Sequence, residues 1–330
     1  MTTTIAPPQG SRSDETPASA LIRSLDPAII PYVDILQRGA LPIATSSIAD
    51  LRAGAKALRA AWQDRGPAMH GTVEDRFAGM RYRIYRPVPD TSLPAVVFFH
   101  GGGWTLMDID THDPVARLIA AASGAAVLSF EYPLAPEAPF PAGLEACMRF
   151  ARFVMDSTKR LDLAPGAPAF AGDSAGANLA VATALALRDQ GGLTPRALAL
   201  IYGSYDLSRL DRESHKRFGG GDIPLSLERM ELFRKCYVPE LSRRGEPLVS
   251  PLYAELRGLP PSFLAVASHD PLYDENLAFA ARLGAAGNSV ELKIYPGTVH
   301  GFIDAAVAVD APIAKRTVAD IGRFLASAFG

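Results

Sequence analysis

The chain has 330 residues, 48% of them hydrophobic, which suits one large domain or one domain with a sizeable insertion and excludes a disordered or fibrous protein. With 33 basic and 35 acidic side chains the net charge is −2, so no surface field exists to gather nucleic acid or an anionic membrane. Two cysteines, Cys147 and Cys236, stand far apart without paired spacing, and imply buried thiols rather than a disulfide framework or a zinc site.

Residues 1–18 read as a flexible tail rich in Thr, Ser and Pro; they lack the basic start and continuous apolar stretch of a secretory signal, so a cytoplasmic protein is expected. From 19 to 66 apolar positions recur at helical spacing, as in Leu51, Ala55, Leu58 and Trp62, and prolines interrupt them. Short helices outside a sheet follow from that pattern. Met80 to Tyr85 alternates as a half-buried strand does, whereas Ala95 to Phe99 is apolar throughout, as a strand covered on both faces must be. Even the Pro94–Phe99 run falls far short of the roughly 20 residues that span a bilayer as a helix. Further apolar strands are predicted at Ala125 to Phe130, Ala167 to Ala171, Ala197 to Tyr202, Pro261 to Ala267 and Val290 to Tyr295, with helical stretches between. This alternation predicts an α/β fold: a mostly parallel central sheet with helices on both faces. Residues 205–255 break the rhythm, being long, charged and interrupted by Gly219-Gly220-Gly221. They read as a helical insertion that joins the 19–66 helices as a cap over a catalytic domain formed by 67–204 and 256–330.

Chemistry enters at Gly172-Asp173-Ser174-Ala175-Gly176, between an apolar strand and an Ala- and Leu-rich helix starting near Asn178. A serine on such a sharp strand-to-helix turn is held out of the sheet as a nucleophile, and the flanking glycines let strand and helix pack closely. The pentapeptide alone is weak evidence, since a Gly-rich turn can carry it by chance. Upstream, His100-Gly101-Gly102-Gly103-Trp104 follows the Ala95–Phe99 strand; three glycines let backbone N–H groups point at a developing oxyanion, completed by the N–H of Ala175. A phosphate-binding turn is the competing reading, but neither a Lys-Ser/Thr pair nor G-x-G-x-x-G spacing is present.

Six histidines could serve the serine as base: His70, His100, His112, His215, His269 and His300. His300 follows the Val290–Tyr295 strand in a loop at the sheet's C-terminal edge and is the best placed. His100 is expected to order the glycine loop, His269 sits beside the presumed acid, and His70, His112 and His215 read as surface or lid residues. The order Ser, Asp, His of this arrangement selects Asp270, in a loop between serine and base where Pro271 ends the strand. Asp206, Asp274 and Glu275 are alternatives that fit capping or lid roles better. In this reading His300 takes the Ser174 proton, Asp270 fixes the imidazole, and no cofactor or metal is needed. His100, Gly101, Trp104 and Asp173 are the supporting residues.

On these blocks, together with Tyr132-Pro-Leu-Ala-Pro-Glu137, Ser250-Pro-Leu252 and Tyr295-Pro-Gly-Thr-Val-His-Gly-Phe302, the chain resembles bacterial hormone-sensitive-lipase-like carboxylesterases of the α/β-hydrolase superfamily, most of all the acetyl esterases. The resemblance covers about residues 70 to 325. It implies the triad Ser174, Asp270 and His300, an oxyanion hole from Gly102, Gly103 and Ala175, a helical cap, and esters with acetyl to about hexanoyl groups as substrates. One departure is Pro133, where the family usually has Arg. A small-molecule ester is the expected partner, without nucleic acid or membrane, and a homodimer is left open. Two other readings keep the fold: an amidase or deacetylase of a small metabolite using the same triad, and a non-catalytic ligand-binding protein.

Overall fold

The computed structural model of the protein describes residues 17–89, 92–192 and 194–330; the tail read from the sequence lies, apart from Pro17 and Ala18, outside the described residues. Three helices come first, α1 (Pro17–Arg23), α2 (Ile30–Gly39) and α3 (Ile48–Arg59). Ser47 starts α3 with a capping box: its Oγ accepts the Asp50 N–H at 3.1 Å while the Asp50 carboxylate accepts the Ser47 N–H at 3.1 Å, an arrangement worth about 1 kcal/mol.

The remainder alternates strand and helix: β1 (Gly71–Phe77), β2 (Met80–Arg86), β3 (Ala95–Phe99), α4 (Asp113–Ser123), β4 (Ala126–Phe130), α5 (Ala142–Asp156), β5 (Ala169–Asp173), α6 (Ala175–Asp189) and β6 (Leu198–Ile201). Between β6 and β7 (Ser262–His269) lie α7 (Glu213–Phe218) and α8 (Leu227–Tyr237); α9 (Tyr273–Ala285), β8 (Val290–Val299), α10 (Ala305–Ala308) and α11 (Pro312–Phe329) complete the chain. The strands form one sheet in the order β1-β2-β4-β3-β5-β6-β7-β8, antiparallel where β2 meets β1 and β4 and parallel elsewhere. Because β4 and β5 lie on opposite sides of β3, the chain reverses its winding direction there, and a crevice opens beyond the C-terminal ends of β3 and β5.

The unbroken apolar strands have a direct packing cause. Val97 and Phe99 face a core shared with Phe150 of α5, Leu179 of α6 and Phe279 of α9, while Val96 and Phe98 face the other core, with Ile119 of α4 and Ile321 of α11. Both faces are covered, so both parities of the strand are apolar.

One strand escaped the sequence reading and another runs longer than expected. β1 was not anticipated: its middle residues, Thr72 to Arg76, are exposed, so no alternation marks it, and it is recognisable only through its pairing with β2. β8 runs four residues past Tyr295, to Val299, with a register irregularity against Ala267 and His269, so the expected loop begins at His300. Cys147 is buried as expected, but Cys236 is only half-buried. Among the described residues no helix is long and apolar enough to cross a membrane.

Candidate active site

Strand β5 ends at Asp173 and helix α6 begins at Ala175, leaving Ser174 alone to turn the chain. It does so at φ 55° and ψ −118°, a conformation that costs a non-glycine residue about 1–3 kcal/mol and persists only where its surroundings enforce it. They do: the Ser174 N–H bonds to the Ile201 carbonyl at 2.8 Å, and the first turn of α6 packs against the end of β3 so closely that a Cβ on Gly176 would overlap the Phe99 carbonyl. The glycine is therefore required by the approach of helix to strand.

The side chains delivered by three strand ends meet here. His300, directly after β8, places Nε2 at 2.8 Å from Ser174 Oγ and Nδ1 at 2.8 Å from Asp270 Oδ2, and the other oxygen of Asp270 accepts the Leu272 N–H at 2.8 Å. Asp270 is buried, and the Tyr202 ring lies 4.9 Å from the imidazole. Ser174, Asp270 and His300 are thus brought together as the sequence order suggested. The alternatives are occupied elsewhere. His269 bonds Ser24 and Ser268, Asp206 pairs with Arg212, and Asp274 accepts the Ser214 N–H.

The glycine run after β3 folds back beside the serine. Gly102 and Gly103 have φ 111° and 61°, values open to glycine, and the N–H groups of Gly102, Gly103 and Ala175 have no acceptor among the described residues. The loop is held from below: Gly101 N–H donates to Asp173 Oδ1 at 2.8 Å, His100 Nδ1 lies 2.8 Å from the Gly101 carbonyl, and Tyr132 stacks on His100 while donating to its carbonyl at 2.8 Å. Burial, with the neighbouring His112, holds the His100 pKa down to about 4, so its ring is neutral and donates from Nδ1. Trp104, the last residue of the run, stacks flat on Tyr237 of α8 at 4.6 Å.

His112 was read as a surface or lid residue and is neither. It is buried at the start of α4, with Nε2 at 3.4 Å from Asp173. Burial raises the Asp173 carboxyl, but His112 and the Gly101 N–H outweigh it and hold the pKa below the usual range. Beside this pair lies a second one, Arg59 of α3 with Asp304 at 3.2 Å. No spacing in the sequence announces these partners, because each joins segments distant along the chain. The other blocks singled out by sequence have local tasks: Glu137 pairs with Arg52 at 2.7 Å, and Ser250 Oγ accepts the Leu207 N–H at 2.7 Å. Nothing in the structure explains proline at position 133.

In the first turn of α9 the buried Glu275 carboxyl has no ion pair among the described residues, and Arg212 offsets its burial only in part. Burial lifts Glu275 to about 8, against the Tyr205 N–H, which donates to its Oε1 at 2.7 Å, and with the like charge of Asp206 adding to the shift. The unfolded chain ionises this group near its ordinary value while the folded one keeps its proton, so stability falls as pH rises from about 4.5 to 8. Glu275→Gln removes that loss. Its melting temperature should match wild type near pH 4.5 and exceed it by several degrees at pH 8, a gap of a few kcal/mol; an equal gap at both pH values would refute it.

A cavity of about 350 Å³ holds Ser174, His300, Gly102 and Gly103. Its apolar wall comes from α2 and α3 (Leu36, Leu51, Leu58) and from the segment around α8 (Ile223, Leu225, Phe233), and Phe233 lies so close over Gly103 that a Cβ there would overlap its ring. For a metal, one trio of acids among the described residues comes within reach of a single ion, Asp108, Asp110 and Glu131. Arg81 already bonds Glu131 and Asp110 at 2.7 Å each, and Arg83 bonds Asp110 at 2.8 Å.

Known proteins share this architecture. Residues 96–304 match a family described by the alpha/beta hydrolase fold. The chain is 39% identical over 250 residues to the carboxylesterase NlhH of Mycobacterium tuberculosis, covering 72% of this chain and 78% of that protein, and 34% identical over 252 residues to the acetyl esterase of Salmonella typhi, covering 73% and 76%. A hyperthermophilic esterase from the archaeon Pyrobaculum calidifontis superposes with a TM-score of 0.85 at 31% identity, over 92% of this chain and 98% of that one. The chain therefore belongs to the hormone-sensitive-lipase-like carboxylic ester hydrolases of the α/β-hydrolase fold.

Proposed function

We propose that this enzyme hydrolyses esters of short acyl groups, acetyl to about hexanoyl, through an acyl-enzyme on Ser174. The observation that carries the reading is the continuous relay from Ser174 Oγ through His300 to Asp270, opening into a cavity beside the N–H groups of Gly102, Gly103 and Ala175. Ser174 Oγ attacks the ester carbonyl carbon as its proton passes to His300 Nε2, and the charge on the carbonyl oxygen is met by the N–H groups of Gly102, Gly103 and Ala175. The tetrahedral intermediate collapses, the imidazolium returns that proton to the leaving alkoxide, and an acyl-serine remains. Water then attacks the acyl carbon, giving its proton to His300, and the second collapse releases the acid and restores Ser174. Asp270 keeps Nδ1 protonated and stabilises the imidazolium formed in each half-reaction.

The acyl limit rests on the apolar wall that Phe233, Leu58 and their neighbours set beside Ser174, with α2, α3 and α8 acting as the cap. Rates on 4-nitrophenyl acetate, butanoate, hexanoate, octanoate and decanoate test it. Activity should be concentrated at hexanoate and below and fall at least about tenfold by decanoate, as expected when several CH₂ groups, each worth about 0.8 kcal/mol, find no apolar site. A profile that keeps rising to decanoate would refute the short-chain reading. The matched acetanilide, expected to be cleaved far more slowly than the ester, separates esterase from amidase.

A further inference from the structure

Arg229 occupies the first turn of α8 and lines the same cavity as Ser174. Of the other arginine and carboxylate side chains lining that cavity, Arg59 pairs with Asp304 at 3.2 Å, Arg234 with Glu231 at 3.4 Å and Asp206 with Arg212, while Asp173 lies 3.4 Å from His112. Arg229 has no such partner: among the described residues its guanidinium makes neither an ion pair nor a hydrogen bond. Glu228 precedes it on the helix, exposed and without an ion pair to it, and offsets its charge only in part.

The position is unfavourable to a cation in three ways. Arg229 is half-buried; the loss of water from its guanidinium, with the nearby charge of Arg59, brings its pKa below the ordinary arginine value. A positive group in the first turn of a helix also faces the positive end of the helix dipole. Arginine cannot escape by losing its proton at working pH, so the charge stays, with only the exposed Glu228 to offset part of it. A bound anion would meet all three costs at once.

We propose that Arg229 recognises a carboxylate on the substrate, making this enzyme selective for esters that carry a carboxylate group away from the scissile bond. One unpaired guanidinium matches one negative charge, and its planar fork suits a carboxylate through two parallel N–H···O bonds. The proposal names the substrate class of the ester hydrolysis argued above and rests on that reading.

Two matched pairs test it on either side of the scissile bond: 4-acetoxybenzoate against 4-acetoxybenzamide, and ethyl hydrogen succinate against ethyl succinamate. Wild type should favour the carboxylate of at least one pair. In Arg229→Met the ratio of kcat/KM, carboxylate to carboxamide, should fall about tenfold or more for that pair, mainly through KM, and Arg229→Lys should recover part of it. Because the charge has no ion pair in the free protein and is offset only in part, the Arg229→Met melting temperature should equal or exceed that of wild type. A ratio unchanged within about twofold for both pairs would overturn the proposal, as would a fall in melting temperature with equal losses on both members of a pair, the mark of a structural arginine. Calorimetric titration of 4-acetoxybenzoate and ethyl hydrogen succinate into Ser174→Ala, with and without Arg229→Met, reads recognition without turnover. The ligand that binds should lose about tenfold or more in Kd. Absence of turnover on every ester would then count against hydrolysis at Ser174, while absence of any arginine-dependent binding would count against the carboxylate site.

Discussion

Ser174→Ala is expected to lower kcat by roughly 10⁴- to 10⁶-fold on any ester the enzyme accepts, because the relay works as a unit and loses almost everything when its nucleophile is removed. The residual rate would come from the N–H donors beside the serine and from substrate binding. The fold should survive, since the hydroxyl contributes one hydrogen bond, to His300, and the Ser174 N–H to the Ile201 carbonyl is untouched. A companion variant separates chemistry from strain. At φ 55° an alanine keeps the backbone penalty of the serine, whereas glycine escapes it. Ser174→Gly should therefore be as inactive as Ser174→Ala yet more stable by about 1 kcal/mol, the strain relief exceeding the extra entropy glycine loses on folding. Activity within tenfold of wild type in either variant would remove Ser174 from the mechanism; equal melting temperatures would show that the elbow is not strained.

What could be read from the sequence, and what could not, divides along physical lines. The elbow was legible because its requirements are local: an apolar strand covered on both faces, a turn that only small neighbours permit, and a helix starting at once. Ser174, Gly172 and Gly176 all lie within five residues. His300 and Asp270 were legible at one remove, since parallel strands deliver their C-terminal loops to one edge whatever separates them in the chain. β1 escaped detection because its middle residues face solvent and carry no period. The burial of His112 depends on Asp173, and the isolation of Arg229 depends on which carboxylates fail to reach it, which only the assembled cavity reveals. Local chemistry leaves a pattern in sequence; pairing and its absence do not.

Asp270→Asn should cost on the order of 10³- to 10⁴-fold in kcat while leaving the fold nearly unchanged, and the hydrogen bonds around the residue say why. One Asp270 oxygen accepts the Leu272 N–H at 2.8 Å, and the other faces His300 Nδ1 at 2.8 Å. An asparagine must keep its carbonyl oxygen toward the Leu272 N–H, so its NH₂ group turns to His300. Nδ1 can then only accept, the ring proton moves to Nε2, and the nitrogen that faces Ser174 Oγ at 2.8 Å becomes a donor unable to take the serine proton. The imidazolium formed during turnover also loses its buried counterion. Asp270→Ala, by contrast, leaves Nδ1 free to keep its proton and bond water, so it should retain more activity than Asp270→Asn although it removes more of the side chain. That inversion distinguishes tautomer control from simple loss of charge. If the two variants fall equally, the charge of Asp270 is its whole contribution; if neither falls tenfold, another carboxylate orients His300 and Asp270 is excluded from the relay.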